Sequence, residues 1–547
     1  MAAAESVADQ LVSLATTMFE FGVSTSGEPF AISKDPTVPR HVAVLFRGSR
    51  LGLRARLAAA YRDNHHKVPS AAALTDALTV LEGMALDLDP VELHVRVAAV
   101  DNGRGVVVDF GDTSGLVAVL HQDRASPDYR TDSPVMFRRS KLTAALPDPR
   151  ISTGGLDDFR ALVNVTDESW ELLRGAMVAV FLPQIPCPIV LLRGEQGTGK
   201  TTLARMVADL VDPSPAPIRT APRSDEDWAV CASASRLVVL DNISTIPGWF
   251  SDILCKASTG DGYIRRQLYT DSELSVLSFR RCIWLTSIDP GSIRGDLGDR
   301  LLPIELTRID DSNRRTDTEL QQVYSQIRPG VLRELLDLTQ RVLCVLPDVQ
   351  LDRLPRMADF GRVLAALDQV HGTDACATFL GLRAELSETI VSDDLVASAV
   401  RDLIGSRGRV QGTATELLTL LPKPDPTPRS WPKTASALGA RLARVAPALR
   451  NLGYAVTSVR TANSRYWILE ELARESVSQV SLLSRTDPEL AERDDSSSDT
   501  DGCDDVDAVI PRHREGADHD ANDGDDTDSR VIAAPMSFDF DLVGGAE

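Results

Sequence analysis

The chain has 547 residues, of which 43% are hydrophobic and 25% charged, and this is the composition of a folded protein. It excludes collagen-like, disulfide-scaffold and wholly disordered classes, and the length predicts three or four domains of about 150 residues each. The opening residues show no signal-peptide pattern, and prolines interrupt the most apolar stretch, so we expect a cytoplasmic protein without membrane contact. The seven cysteines are scattered singly, which favours reduced thiols over a zinc site.

Charge is distributed unevenly along the chain, whose formal net charge is −21. Residues 486–547 contain 20 acidic and 4 basic residues, which account for −16 of that charge. This composition is too poor in apolar side chains to form a core, so we expect residues 473–547 to be a disordered acidic tail. The last residues, MSFDFDLVGGAE, faintly resemble the acidic tips by which single-strand binding proteins dock partners. A solvated tail and a competitor of DNA for a basic surface are the alternatives.

The predicted elements suggest five regions in chain order. Residues 1–150 combine a helix with alternating runs such as ELHVRVAAV and GVVVDFGD, which predict a small α+β domain containing a strand hairpin or meander. Residues 151–315 alternate strands with helices, a pattern that predicts an α/β fold with a parallel sheet flanked by helices. Residues 316–404 have helical periodicity and predict a helical lid or linker.

Residues 405–472 show three helical patterns followed by two short strands around TANS. The three patterns are Thr413–Leu420, Thr434–Leu442 and Val445–Leu452, and the whole segment resembles a winged helix. Between Arg429 and Leu469 there are seven basic residues and no acidic one. We therefore expect duplex DNA contacts here, and protein contact is the alternative. The candidate DNA-binding residues are Lys433, Arg441 and Arg444.

The strongest motif is GEQGTGKTT, which begins directly after a predicted strand and opens a predicted helix. It fills the pattern G-x-x-x-x-G-K-[ST], in which glycines let the backbone amides surround the phosphates of a nucleotide at a helix N-terminus. We expect ATP as the ligand, with Lys200 on its outer phosphates and the Thr201 hydroxyl on Mg²⁺. The predicted cofactor-binding residues are Gly194, Glu195, Gln196, Gly197, Thr198, Gly199, Lys200, Thr201 and Thr202.

A second signal lies 41 residues after Lys200, where the strand Leu237–Leu240 ends in Asp241. A carboxylate at a strand tip can hold magnesium through water, so we expect Asp241 to be the second magnesium residue; an ordinary turn is the alternative. Asn242 follows where many such ATPases have a glutamate that orients the attacking water. An amide can position water but cannot accept its proton, so hydrolysis is either slow or uses another carboxylate.

The run LCKASTGDGYIRRQLYTDSELSVLSFRRCIWLTSIDP resembles superfamily 3 helicases and their poxvirus and phage primase-helicase relatives, although no primase domain is predicted. This resemblance implies an AAA+-like parallel sheet, a homo-oligomeric ring and a basic hairpin that grips single-stranded DNA. Carried over by position, the hairpin residues are Lys256, Arg265 and Arg266, the polar sensor residues are Thr286 and Ser287, and the arginine finger is Arg300. Arg294 is the competing finger candidate, and Arg356 is either a lid contact to phosphate or a helix-surface residue.

These observations predict an ATP-dependent DNA motor, a ring-forming helicase or replication ATPase of a phage or integrated mobile element. The alternative is an ATP-switched initiator or regulator that binds DNA and hydrolyses ATP slowly because of Asn242. A third, weaker hypothesis is a defence ATPase with the same motor core. The expected catalytic residues are Lys200, Asp241, Asn242, Thr286, Ser287 and Arg300.

Overall fold

The computed structural model describes residues 5–46, 52–151, 153–260, 263–266, 274–277, 280–288, 293, 295–310, 312, 314–351, 354–460 and 465–472. Every described residue belongs to one unit, Met1–Val477. The predicted acidic tail and Arg294 lie outside the described residues. For Arg265 and Arg266 the backbone alone is described.

Within its described residues, the region up to residue 150 contains two sheets and three α-helices. The helices are α1 (Val7–Met18), α2 (Leu53–His65) and α3 (Ala71–Leu86). A six-stranded sheet has the order β4-β1-β2-β3-β10-β5, and a four-stranded antiparallel sheet has the order β6-β7-β8-β9, which confirms the predicted meander. The strands are β1 (Phe19–Ser24), β2 (Pro29–Ser33), β3 (Val42–Leu45), β4 (Pro90–Val91), β5 (Leu93–His94), β6 (Val97–Val100), β7 (Gly105–Asp109), β8 (Val117–His121), β9 (Asp128–Arg130) and β10 (Met136–Arg138).

The meander shares one hydrophobic core with the region that follows it. Val106, Phe110 and Leu120 are buried in the same cluster as apolar residues of the central helices. A buried ion pair reinforces this contact, because Arg96 Nε lies 3.0 Å from Asp212 Oδ1 and both side chains are less than a tenth exposed. Breaking such a pair would leave an uncompensated buried charge, so the pair fixes the meander beside the helix that ends just before Asp212.

The central region is a five-stranded, wholly parallel sheet, as the alternation of strands and helices predicts. Its order is β12-β13-β16-β11-β17, and the four longer strands are almost entirely buried, as is usual when helices cover both faces. The strands are β11 (Ile189–Arg193), β12 (Ile218–Arg219), β13 (Leu237–Leu240), β16 (Cys282–Ser287) and β17 (Leu301–Glu305). The helices of this region are α4 (Leu156–Arg160), α5 (Asp167–Val180), α6 (Lys200–Val211), α7 (Asp225–Ser233), α8 (Gly248–Thr259) and α9 (Gly295–Gly298).

Alternate side chains along these strands enter two cores on opposite faces of the sheet. Val190 and Leu192 pack with α5, α6 and the long helix α10 (Asp317–Val345), whereas Ile189 and Leu191 pack with α7 and α8. Both faces are therefore apolar, and the polar groups of this region collect at the ends of the strands. A separate antiparallel hairpin, β14 (Tyr263–Arg266) and β15 (Leu274–Leu277), confirms the predicted hairpin at the level of the backbone.

A helical region follows, and then a small mixed domain. The helices after α10 are α11 (Ala358–His371), α12 (Ala375–Asp393), α13 (Leu395–Arg407), α14 (Ala414–Leu420) and α15 (Ala435–Asn451). Strands β18 (Val410–Thr413), β19 (Tyr454–Arg460) and β20 (Arg465–Glu471) form an antiparallel sheet in the order β18-β20-β19. The prediction of separate helices before and after residue 443 was wrong, because α15 continues through Pro447 with its apolar side buried.

The expectation that all cysteines are reduced was also wrong. Cys187 and Cys282 are joined in a disulfide, although 95 residues separate them in sequence. They meet because β16 lies beside β11 in the sheet, and sequence spacing cannot reveal that order.

Among the described residues, no helix combines the length and the apolar character needed to cross a membrane.

Candidate functional site

The glycine-rich loop lies at the carboxyl edge of the central sheet, between β11 and α6. Gly197 and Gly199 have φ values of 83° and 85°, a left-handed conformation that L side chains adopt only with strain. Gly199 is also the N-cap of α6 and has no side chain to cap it. The amides at the positive end of this twelve-residue helix therefore face the loop rather than a capping side chain. This is the backbone geometry that binds anions.

Lys200 places a cation across the mouth of this loop. Its Nζ donates hydrogen bonds of 2.7 Å to the carbonyl oxygens of Gly194 and Glu195. Burial lowers the pKa of Lys200, and the nearby charge of Asp241 opposes that shift. The two carbonyl oxygens therefore hold the ammonium at the loop, and Asp241 partly offsets the effect of burial on its charge.

Asp241 follows β13 and lies next to the loop, as the sequence predicts. Thr201 Oγ1 donates a hydrogen bond of 2.9 Å to Asp241 Oδ1, and the hydroxyl of Thr286 donates to the same oxygen. The strand order explains this meeting, because β16 lies between β13 and β11 and brings Thr286 beside both. Three residues predicted from separate motifs thus form one polar cluster.

Thr286 and Ser287, the predicted sensor residues, are both buried and both engaged in hydrogen bonds. Thr286 also accepts a 2.9 Å hydrogen bond from the backbone amide of Asn242, and the Ser287 hydroxyl donates to the carbonyl of Ile243 at 2.6 Å. These contacts fix the turn that follows β13. Asn242 itself has a φ of 56°, a left-handed backbone conformation that asparagine tolerates well, and its side chain is exposed.

A cavity of 720 Å³ opens beside the loop. One wall is the loop and the first turns of α6, and the others are residues 161–164 and 309–320. Its apolar walls include Leu162, Leu203 and Met206, and its polar groups include Asn164 and Arg314. Polar and apolar residues thus contribute about equally to the walls, and a pocket with both kinds of group can bind a small molecule that is polar in one part and apolar in another. Sequence reasoning missed this cavity because its walls come from three distant segments.

Arg300 lies at the opposite edge of the sheet from the loop. Its backbone carbonyl accepts a hydrogen bond from the amide of Ile189, where β11 begins, whereas the loop follows the end of the same strand. Five residues of extended strand span about 16 Å. The Arg300 side chain is 14% exposed, and its Nε lies 3.8 Å from Asp296.

Arg356 belongs to an ion-pair cluster around Asp296 and Asp299 rather than to the loop. It contacts Asp296 and donates to Asp299 Oδ2 at 3.3 Å, and Arg383 lies 3.6 Å from the other Asp299 oxygen. Asn451, at the end of α15, donates to Asp299 Oδ1 at 3.0 Å. The structure therefore favours neither sequence interpretation of Arg356. Its guanidinium links the turn before β17 to the helical region.

The three residues assigned to the DNA-gripping hairpin do not all lie on it. Arg265 and Arg266 belong to β14, paired with Ser275 and Leu274 of β15. Lys256 was wrongly placed, because it is exposed in the last turn of α8. The helix buries Phe250, Ile253, Leu254 and Ala257 at helical spacing and ends at Gly260, whose φ is 90°.

The basic residues of the C-terminal domain differ in their surroundings. Lys433 and Arg444 are exposed, whereas Arg441 forms a 2.6 Å ion pair with Asp394, the N-cap of α13. Arg441 therefore connects α15 to α13 in this structure, and the two other residues are more accessible to a partner. Nothing in the sequence indicated that Asp394 would be its neighbour.

Two family comparisons match adjoining parts of the chain. Residues 156–391 match the replication protein of actinomycete integrative conjugative elements, and residues 396–486 match the C-terminal domain of that replication protein. The matches support a replication protein of a conjugative element. No curated protein matches the chain by sequence.

Among solved structures, the apo NrS-1 C-terminal region is 10% identical, with 85% of this chain and 100% of that chain covered and a TM-score of 0.34. The JCV helicase is 15% identical, with 43% of this chain and 65% of that chain covered and a TM-score of 0.22. Likeness at this level carries no argument about function. The support for a role in DNA replication comes from the family matches.

Proposed function

We propose that this replication protein is an ATP-dependent DNA motor of the superfamily 3 helicase type, acting as a ring. The observation that carries the proposal is the cluster of Lys200, Thr201, Asp241 and Thr286 around an uncapped helix N-terminus at the carboxyl edge of a parallel sheet. Open α/β sheets bind ligands outside the carboxyl ends of their strands. A replication context makes a nucleotide-driven motor the function that best fits this cluster.

In the proposed complex the amides of residues 194–201 hold the phosphates of ATP, and Lys200 contacts the outer phosphates. The adjoining 720 Å³ cavity would hold the nucleoside between Leu162, Leu203 and Met206. Thr202, which follows Thr201 in the first turn of α6, lines the same cavity. The site thus has a charged end for phosphates and an adjoining cavity in which apolar side chains lie among polar ones, as a nucleoside requires.

Thr201 and Asp241 fit the proposed Mg²⁺, because a hydroxyl and a carboxylate are hard oxygen donors and lie 2.9 Å apart. No group of three or more His, Cys, Asp and Glu side chains in the described part of the chain could hold a metal alone. An ion here would share phosphate and water ligands, which is usual for magnesium. When bound, Mg²⁺ neutralises charge that develops on the transferred phosphoryl group. Thr286 would keep the Asp241 carboxylate oriented.

DNA contact is proposed for two surfaces. The β14–β15 hairpin would present Arg265 and Arg266 to single-stranded DNA, and the C-terminal domain would contact duplex DNA through Lys433 and Arg444. The order of elements from α13 to β20 supports a winged helix, since a helix, a strand, two helices and two strands follow one another. The acidic tail would dock a protein partner or remain solvated.

The decisive experiment measures phosphate release by the full chain with and without single-stranded DNA, together with strand displacement and sizing. We expect DNA to stimulate hydrolysis, because in such a motor the affinity for single-stranded DNA depends on which nucleotide is bound. We also expect a duplex with a single-stranded arm to be opened. Hydrolysis without duplex opening would contradict the helicase part, and failure to bind ATP would contradict the whole proposal.

The exposed Asn242 favours a second candidate, an ATP-switched initiator or regulator that hydrolyses slowly. The residue after Asp241 carries an amide, which cannot take a proton from the attacking water. In this alternative the ATP form assembles on DNA and persists.

Replacing Asn242 by Glu distinguishes the two candidates. A positioned base contributes about 10²-fold or more, so a slow switch should gain at least about tenfold in the rate of phosphate release. Asn242→Gln is the matched control for Asn242→Glu. Both side chains are disfavoured to a similar extent by the left-handed backbone at this position, and glutamine has no carboxylate. Asn242→Asp supplies a carboxylate that tolerates this backbone. If both acidic variants hydrolyse ATP at the wild-type rate, another group already acts as the base and the switch is contradicted.

A further inference from the structure

The segment that follows β17 runs closely along the glycine-rich loop. A Cβ atom built on Gly194 would lie 2.7 Å from the carbonyl oxygen of Leu306, and one on Gly199 would lie 3.7 Å from Ile309. A Cβ on Gly197 would lie 3.7 Å from Nη2 of Arg314. The Arg314 guanidinium therefore lies beside the middle of the loop, at the mouth of the adjoining cavity.

The other groups expected to detect phosphate are directed elsewhere. The Ser287 hydroxyl donates to the carbonyl of Ile243, and the Thr286 hydroxyl donates to Asp241. Arg356 is held by Asp296 and Asp299. Arg314 is exposed and lines the same cavity as Gly197 and Gly199.

We propose that Arg314 binds the phosphate chain of the nucleotide held on its own loop, and that it distinguishes an occupied loop from an empty one. This inference rests on the proposed ATP site. A guanidinium presents a planar set of donors that matches phosphate oxygens and stays charged at all physiological pH values. The ligand class is a polyphosphate, and the adjoining cavity adds affinity for a nucleoside.

Arg314 also occupies a position from which binding can affect the rest of the chain. Helix α10 begins at Asp317, three residues further along, and it packs in the same core as α5, α6 and α11. Contact between Arg314 and phosphate would restrain the link between β17 and this helix. The nucleotide would thereby restrain the position of the helical region, while Arg356 keeps its contacts with Asp296 and Asp299.

The experiment compares the binding of Mg²⁺-ATP and of inorganic tripolyphosphate by calorimetry, in full-length wild type and Arg314→Ala. Removing a charge-assisted contact should lower the affinity for both ligands by about tenfold or more, and Arg314→Lys should restore part of that affinity. The matched control is Arg308→Ala, which removes an exposed arginine of the same segment that does not line the cavity. We expect the control to bind both ligands like the wild type, and thermal unfolding should show that all variants are folded.

Unchanged tripolyphosphate binding by folded Arg314→Ala would overturn the inference, even if ATP binding were weaker, because the arginine would then contact the nucleoside alone. An equal loss in Arg308→Ala would also overturn it, since the effect would be one of general surface charge. A wild-type protein that binds neither ligand would refute the proposed function itself. A wild-type protein that binds both, with Arg314→Ala unchanged, would refute the role of Arg314 alone.

Discussion

Lys200→Ala is expected to lower ATP hydrolysis at least about 100-fold, because it removes a side-chain cation that hydrogen bonds hold across the mouth of the loop. In the proposed complex this ammonium contacts the outer phosphates, where negative charge is greatest during transfer. Phosphate release measures the loss in rate, and calorimetry with ATP measures the loss in affinity. The protein should remain folded, since Lys200 is only partly buried and its carbonyl partners can bind water instead.

Lys67→Ala is the matched control, because Lys67 is an exposed lysine that follows α2 and lies outside the central region. It should hydrolyse ATP at the wild-type rate. If Lys200→Ala keeps more than about a tenth of the wild-type turnover while remaining folded, the loop is not where phosphoryl transfer is catalysed.

Arg300→Ala is expected to reduce turnover by about 10³-fold or more while ATP binding remains close to that of the wild type. Arg300 lies at the start of β17, about one strand length from the loop of the same chain, so the nucleotide it contacts would belong to a neighbouring copy. Arg356→Ala is the matched control. It disrupts contacts with Asp296, which Arg300 also approaches, and with Asp299, and it keeps Arg300 in place.

Mixing two inactive variants provides a sharper test of action between copies. In random assemblies of equal amounts of Lys200→Ala and Arg300→Ala, about a quarter of the head-to-tail interfaces would combine an intact loop with an intact arginine. Activity should therefore reappear on mixing. If the mixture stays inactive although sizing shows mixed assemblies, Arg300 acts within its own subunit or has a structural role.

The parts of the site that could be predicted from sequence are those formed by neighbouring residues. The glycine-rich loop is continuous in sequence, and Gly197 and Gly199 adopt left-handed conformations within it. Asp241 was found because a carboxylate ending an apolar strand is a local pattern. Both predictions needed the course of a single strand and the turn after it, and neither required the order of strands in the sheet.

The contacts that escaped prediction depend on that order or on how loops cross the surface. Thr286 reaches Asp241 because β16 is inserted between β13 and β11. Arg314 was part of a polar run without periodicity, and its position beside Gly197 follows from the path of the chain after β17. Lys256 was placed by resemblance on a hairpin, although the spacing of its apolar neighbours already indicated a helix.

The continuity between the meander and the central helices has a practical consequence for dissecting this protein. The family match begins at residue 156, yet Val106, Phe110 and Leu120 of the preceding region fill the same apolar interior as α5, α6 and α10. A truncation at that boundary would expose apolar surface to solvent. It would also leave the Asp212 carboxylate without its partner Arg96. If such a fragment were insoluble, the cause would be the loss of part of its hydrophobic core. The result would say nothing about binding of nucleotide or DNA.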